Sequence, residues 1–103
     1  MNELEQMIME LVVNGGDARS KAMEAIDAAK NGDFEMADVL LKECNEQLSS
    51  AHNKQTELIQ AEVRGEHVSV TLLMVHAQDH LMNAMTVRDL AKEIIEIYKR
   101  EGK

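Results

Sequence analysis

The sequence predicts an all-α fold: an antiparallel, up-down-up three-helix bundle that associates further with copies of itself. Three observations lead there. The 103 residues include no Pro, few Gly and two aromatic side chains, whereas Ala, Leu, Met, Glu and Lys are abundant. Those abundant types lose little side-chain entropy in a helix. Apolar residues recur at helical spacing through three segments, and two short glycine-containing breaks separate them. Turns that short make sequence neighbours antiparallel. A chain of this length makes one domain around one core, here of aliphatic and Met side chains.

The first segment runs from about Glu3 to Lys30, with Leu4, Ile8, Leu11, Gly15, Ala18, Ala22, Ile26 and Ala29 on its apolar stripe. Asn14-Gly15-Gly16 interrupts it. This tripeptide reads as a bend or a close helix–helix approach, with a true break and a new helix from Asp17 as the alternative. Asn31-Gly32-Asp33 is a clean boundary, because Asn or Gly ends one helix and Asp33 caps the next. The second segment runs from about Phe34 to Val63, with Phe34, Ala37, Leu41, Cys44, Leu48, Ala51 and Leu58 on one stripe. Arg64-Gly65-Glu66 forms the second turn, and the third helix is expected from roughly Val68 to Arg100.

That third helix changes character halfway. Its last turns carry Arg88, Asp89, Lys92, Glu93, Glu96 and Arg100, a solvated face opposite Leu90, Ile94 and Ile97. Followed backwards, the outer stripe meets Met85, Met82, Leu81, Gln78 and Met74 instead of charges. A helix apolar on most sides is buried on most sides, and three helices cannot enclose it alone. Leu72, His76, Asp79, Asn83, Thr86 and Leu90 also follow 4,3,4,3,4 spacing, a coiled-coil seam with polar middle layers. Such layers set register and oligomer state, so a homo-oligomer with this helix near the symmetry axis is expected.

Composition excludes several functions. The formal net charge is −8, which leaves no basic footprint for the phosphates of a nucleic acid. An acidic surface keeps a small protein soluble and would also steer a partner bearing a basic patch. Cys44 is alone, so no disulfide framework can form and a reducing compartment fits. The chain begins acidic where a signal peptide would be basic, and no apolar run is long enough to span a bilayer. The expectation is a cytoplasmic protein with no direct membrane insertion.

The densest chemical signal is His76-Ala77-Gln78-Asp79-His80-Leu81-Met82, a polar cluster inside the most apolar stretch. His76, Asp79 and His80 share a helix face at i,i+3 and i,i+4 spacing. Ionisable groups are costly among aliphatics unless they are paired, and partly desolvated sites are where reactivity is tuned. This block closely resembles the active-site segment of the lactose/cellobiose-family enzyme IIA proteins of the bacterial phosphoenolpyruvate-dependent sugar phosphotransferase system. Gly16-Asp17-Ala18-Arg19-Ser20 and Ala51-His52-Asn53-Lys54-Gln55-Thr56 are similar to the same family. The similarity spans essentially the whole chain and leans towards the cellobiose or oligo-β-glucoside branch.

The resemblance implies a homotrimer of three-helix chains, a nine-helix bundle. It implies that His76 accepts a phosphoryl group from the histidine-containing phosphocarrier protein and passes it to a cysteine of enzyme IIB, which serves the membrane subunit, enzyme IIC. It implies that Asp79 and its symmetry mates bind one metal ion on the threefold axis, and no organic cofactor is called for. Three converging carboxylates repel strongly, and a hard cation such as Mg²⁺ relieves that in a structural role. A neutral imidazole is a competent nucleophile near pH 7, with its second nitrogen free to be held by a hydrogen bond. Gln78 and His80 are candidates to hold the phosphoryl oxygens; at i,i+2 Gln78 does not face His76 on its own helix, so a neighbouring subunit is a natural source.

Other readings compete. His76 and His80 have the i,i+4 spacing of a zinc site, but Ala77 stands where a zincin has Glu and no third ligand is evident. His52 is expected to be packed or hydrogen-bonded, His67 exposed at a turn, and Cys44 core. Met74, Met82 and Met85 read equally as packing or as an adaptable docking surface around His76. A helical adaptor without chemistry would explain the bundle, but not the histidine–aspartate pair. A metal-binding bundle would need more inward carboxylates than the sequence supplies.

Overall fold

Side-chain caps decide where the helices start. The computed structural model describes residues 2–102, which form α1 (Glu3–Lys30), α2 (Phe34–Val63) and α3 (Leu72–Glu101). The Asn2 carboxamide oxygen accepts from the Glu5 amide at 2.8 Å, and Glu5 answers to the Asn2 amide, a reciprocal capping box. Asp33 caps α2 by accepting from the Met36 amide at 3.1 Å. Gly32 and Gly65 take positive φ (+82° and +88°), which lets the chain leave α1 and α2 abruptly.

The first two helices end where the apolar pattern ends. The third begins later than expected. Val68, Ser69 and Val70 stay outside the helix, and Thr71 caps α3 by accepting from the Met74 amide at 3.2 Å. β-Branched residues lose side-chain freedom in a helix, and Ser and Thr prefer the cap, so this run resists helix until Thr71 supplies one. The second connection therefore runs from Arg64 to Thr71.

Contacts between side chains fix the directions. Asp17 accepts from Gln47, and Lys21 approaches Glu43 while Lys54 approaches Glu10, so α1 and α2 are antiparallel. Lys99 meets Asp38, Arg88 meets Asn45, and Gln55 meets Gln78, so α2 and α3 are antiparallel as well. The result is up-down-up, in a body measuring 54 × 25 × 19 Å.

The helices do not share contacts evenly. α1 packs extensively on both neighbours, whereas α2 and α3 touch each other much less. The inner face of α1 explains this: Gly15, Ala18, Ala22, Ala25 and Ala29 are small and buried, so both partners come close. Around it lie Leu48, Cys44 and Ala51 from α2, and Met74, Ala77, Leu81 and Ala84 from α3. A second cluster of Ala25, Ala29, Ala37 and Ile95, flanked by Phe34 and Tyr98, closes the far end. The innermost positions differ from the expected stripes in places. Ala25 displaces Ile26 from the centre, and in the last turns of α3 Ala91 and Ile95 face inward while Leu90 and Ile97 lie exposed.

Asn14-Gly15-Gly16 is a close approach and not a break; α1 is continuous through it. A Cβ on Gly15 would sit 3.3 Å from the backbone carbon and oxygen of His80, whereas one on Gly16 would lie 3.8 Å from the His80 ring. The two glycines should therefore respond with opposite signs. Gly15→Ala meets backbone that cannot yield and is expected to destabilise by about 1–2 kcal/mol. Gly16→Ala meets only ordinary contact and is expected to stabilise by up to about 1 kcal/mol through helix propensity. Urea unfolding of the two variants beside wild type checks both signs.

Candidate functional site

Because α1 takes one side of α3 and α2 part of another, the opposite face of α3 is left bare. Every residue of the seam, Leu72, His76, Asp79, Asn83, Thr86 and Leu90, is exposed in the single chain. Leu72 and Leu90 are 84% and 58% exposed, and Val75 and Met82 beside them are also open. This long, half-apolar strip carries the histidine block.

His76 stands on that face, with buried Ala77 beneath it against the core. One turn on, the His80 ring lies 4.3 Å from the His76 ring, centroid to centroid, at 69°. His80 is half-buried, because its backbone rests on Gly15 and the Nδ1–Cε1 edge of its ring faces Gly16. Its ring also borders a groove completed by Arg19, Asn83, Thr86 and Val87. The geometry brings two imidazoles together at an open surface, one of them lying alongside α1.

Gln78 and Asp79 point elsewhere. The Gln78 carboxamide turns towards α2, where its Oε1 accepts from Gln55 Nε2 at 2.5 Å. Within one chain it is thus not beside His76. Asp79 lies exposed in the middle of the seam, and no hydrogen bond or ion pair reaches it among the described residues. No three His, Cys, Asp or Glu side chains gather into a metal-holding group among the described residues.

The remaining candidates sort cleanly. His52 is exposed, contrary to the packed role expected, because Ala51 and Gln55 take the inward positions of that turn. It borders a shallow groove with Ser49, Asn53, Met85 and Arg88. His67 is exposed in the extended connection. Asp17 is tied to α2, and the Gln47 amide, with Lys21 behind it, holds its carboxyl below the usual carboxylate range. Met74 is core, while Met82 is half open. Two participants escaped the sequence reading. Gln55 occupies the core position after Cys44, Leu48 and Ala51, and a polar residue in that stripe was the available signal. Arg19 across the groove from His80 had no signal beyond its place in the Gly16–Ser20 segment.

The sequence pattern described as the PTS system lactose/cellobiose-specific IIA subunit matches residues 6–99. The chain belongs to this IIA family. It is 60% identical over 98 residues to the lichenan-specific phosphotransferase enzyme IIA component of Bacillus subtilis, covering 95% of this chain and 89% of that protein. The crystal structure of the cellobiose-specific enzyme IIA from Bacillus anthracis superposes with a TM-score of 0.93 at 49% identity, covering 97% of this chain and 92% of that one. The IIA(chitobiose) chain of Escherichia coli, solved in solution in complex with HPr, gives a TM-score of 0.85 at 39% identity over the whole of both chains. The protein is a phosphotransferase-system IIA component of the lactose/cellobiose type.

In this IIA chain the three family-like segments meet around the first half of α3. Gly16 and Arg19 border His80, and Gln55 holds Gln78. Cys44 takes no part, being fully buried between the helices, where burial pushes its thiol above the ordinary value. The thiolate is the reactive form, so native Cys44 should resist iodoacetamide at pH 8 and react promptly once the protein is unfolded in urea. Mass spectrometry of the alkylated species checks this; rapid native labelling would mean α2 opens readily.

Proposed function

We propose that His76 is the phosphoryl acceptor, charged by the histidine-containing phosphocarrier protein and discharged to a cysteine of enzyme IIB for sugar uptake through enzyme IIC. The observation carrying this reading is an exposed imidazole within the His76–Met82 block, set on a bare helix face and braced by a second ring. In the first transfer a nitrogen lone pair of His76 attacks phosphorus in line as the donor's P–N bond breaks, and the donor imidazole recovers the electron pair. Positioning and electrostatics supply most of the catalysis in such a loose transition state. The second transfer moves the same group to sulfur, restoring free His76. An enzyme IIA is therefore a carrier whose substrate is another protein. The relatives' names point to a β-linked disaccharide or glucan fragment as the sugar.

The reading includes a homotrimer. The α3 seam is long, exposed and apolar at both ends, the kind of surface a monomer rarely leaves open. With the seam on a threefold axis, the His76–His80 flank of α3, next to α1, meets the neighbour's opposite flank, which carries Gln78. The incomplete pair in one chain becomes a site between two chains, and Gln78 and His80 act as helpers from different copies.

Asp79 fits the shared metal by chemistry. Its carboxylate is a hard oxygen donor without a partner among the described residues, and Asp79 is the one carboxylate in the run Leu72, His76, Asp79, Asn83, Thr86 and Leu90. Three copies would offer oxygen ligands suited to Mg²⁺, which would cancel their mutual repulsion. The ion's role is to hold the trimer together.

Two measurements test these points. Incubated with phosphoenolpyruvate, enzyme I and the phosphocarrier protein, the wild type should gain one acid-labile, base-stable phosphoryl group that His76→Ala does not acquire. An unlabelled wild type favours a non-catalytic adaptor. By sedimentation the protein should be a trimer at micromolar concentration, and EDTA should lower its melting temperature by about 5 °C. Asp79→Asn, lacking the repulsion, should be indifferent to EDTA. A monomer, or a wild type equally indifferent, removes the axial ion from the reading.

A further inference from the structure

Gln55 is the one buried polar side chain among the described residues, 8% exposed, in the thin contact between α2 and α3. Burying a carboxamide is costly unless it is hydrogen-bonded, so its partners matter. Its Nε2 donates to Gln78 Oε1 and also approaches Met82 Sδ at 3.7 Å. The Nε2 of Gln78 in turn approaches Met74 Sδ at 3.8 Å. The four side chains make one chain of contacts across the interface: Met82, Gln55, Gln78, Met74.

The two sulfurs give this chain a direction. A pair of carboxamides can hydrogen-bond either way round, each amide turned over. Turned over here, both carboxamide oxygens would face thioether lone pairs, repelling where N–H groups now attract. Gln78 is thereby held with its oxygen inward, on Gln55, and its NH₂ away from that bond. One N–H meets the Met74 sulfur, and no partner for the other exists among the described residues. Gln78 borders the open groove that Ile59, Val75 and Asp79 also line at the edge of the seam.

We infer that Gln55 is a positioning residue: it holds the Gln78 carboxamide so that an N–H, and not the oxygen, is presented to the phosphoryl oxygens carried by a neighbouring copy's His76. The inference rests on the phosphoryl-acceptor reading above and deepens it. A carboxamide facing the phosphoryl group with its oxygen would repel the transferring charge, so the orientation decides whether Gln78 helps or hinders. Gln55 touches neither reactant and acts only through Gln78.

The test is a double-mutant cycle on the initial rate of transfer from the phosphorylated carrier protein to this chain, using Gln55→Leu, Gln78→Ala and the pair. Gln78→Ala should slow transfer about tenfold, the loss of one hydrogen bond to a charged group. Gln55→Leu should slow it comparably in the wild-type background and change the Gln78→Ala rate less than about twofold. Gln55→Glu, which only accepts, should reverse the Gln78 amide and cost at least as much as Gln55→Leu. Thermal unfolding accompanies each variant, and Gln55→Met replaces Gln55→Leu if the latter fails to fold. A Gln55 effect of equal size in both backgrounds, or none, makes Gln55 a packing residue and overturns the inference. Full activity of Gln78→Ala overturns it too, leaving His76 as acceptor. A wild type that takes no phosphoryl group sinks the parent reading instead.

Discussion

The contact between Gly15 and the backbone of His80 governs much of this molecule. It is possible only because the inner face of α1 is built from glycine and alanine, so that α1 and α3 approach until main chain nearly meets main chain. That approach does two things at once. It makes α1 the hub on which both other helices pack, which leaves α2 and α3 only loosely joined. It also seats His80 against α1 with its ring beside the exposed His76 ring. Bulk in the α1 stripe would push α3 outward and loosen both arrangements.

A core made this way is small. Leu11, Leu81 and Cys44 are the largest fully buried side chains, and alanines account for much of the rest. Each alanine contributes little apolar area, at roughly 25 cal/mol per Å². Meanwhile Leu72, Val75, Met82 and Leu90 remain uncovered on α3. The apolar surface missing from the core sits on the seam, where association with further copies would bury it. Fold stability and assembly are, on this reading, one problem shared between two faces of the same helix.

Much of this was legible in the sequence. Periodicity and the Asn31-Gly32-Asp33 turn located α1 and α2, because a helix needs a stripe and an exit and both were written plainly. The 4,3,4,3,4 run from Leu72 to Leu90 marked the face that the single chain leaves open. The start of α3 was misplaced because apolar residues from Val68 continue the helical pattern, while the competing preference of Ser69 and Thr71 for caps is a local effect that periodicity does not weigh. The close approach at Gly15 was one of three readings, beside a bend and a true break; which neighbour it served depends on how the helices cross, and no single-helix pattern contains that. Gln55 was passed over for a related reason. A glutamine amid Leu48, Ala51 and Leu58 looks like a flaw in a stripe until its partner on α3 is known.

The composition of the site bears on what a carrier requires. A catalyst that merely bound the phosphohistidine form tightly would gain nothing, since uniform binding deepens the ground state along with the transition state. A relay suffers doubly, because a phosphoryl group clamped by several cations would not leave for the next protein. Within one chain the side chain beside His76 is the His80 imidazole, whose groove adds the Asn83 carboxamide and the Thr86 hydroxyl, while the Asp79 carboxylate lies on the same seam. Arg19, across the groove from His80, is the one cation in that groove's lining. Neutral donors with fixed orientation can still favour the spread-out charge of the transfer, provided they point the right way without rearranging. On the proposed reading, orientation set by the α1 glycines beside His80 and by Gln55 behind Gln78 matters more here than added positive charge.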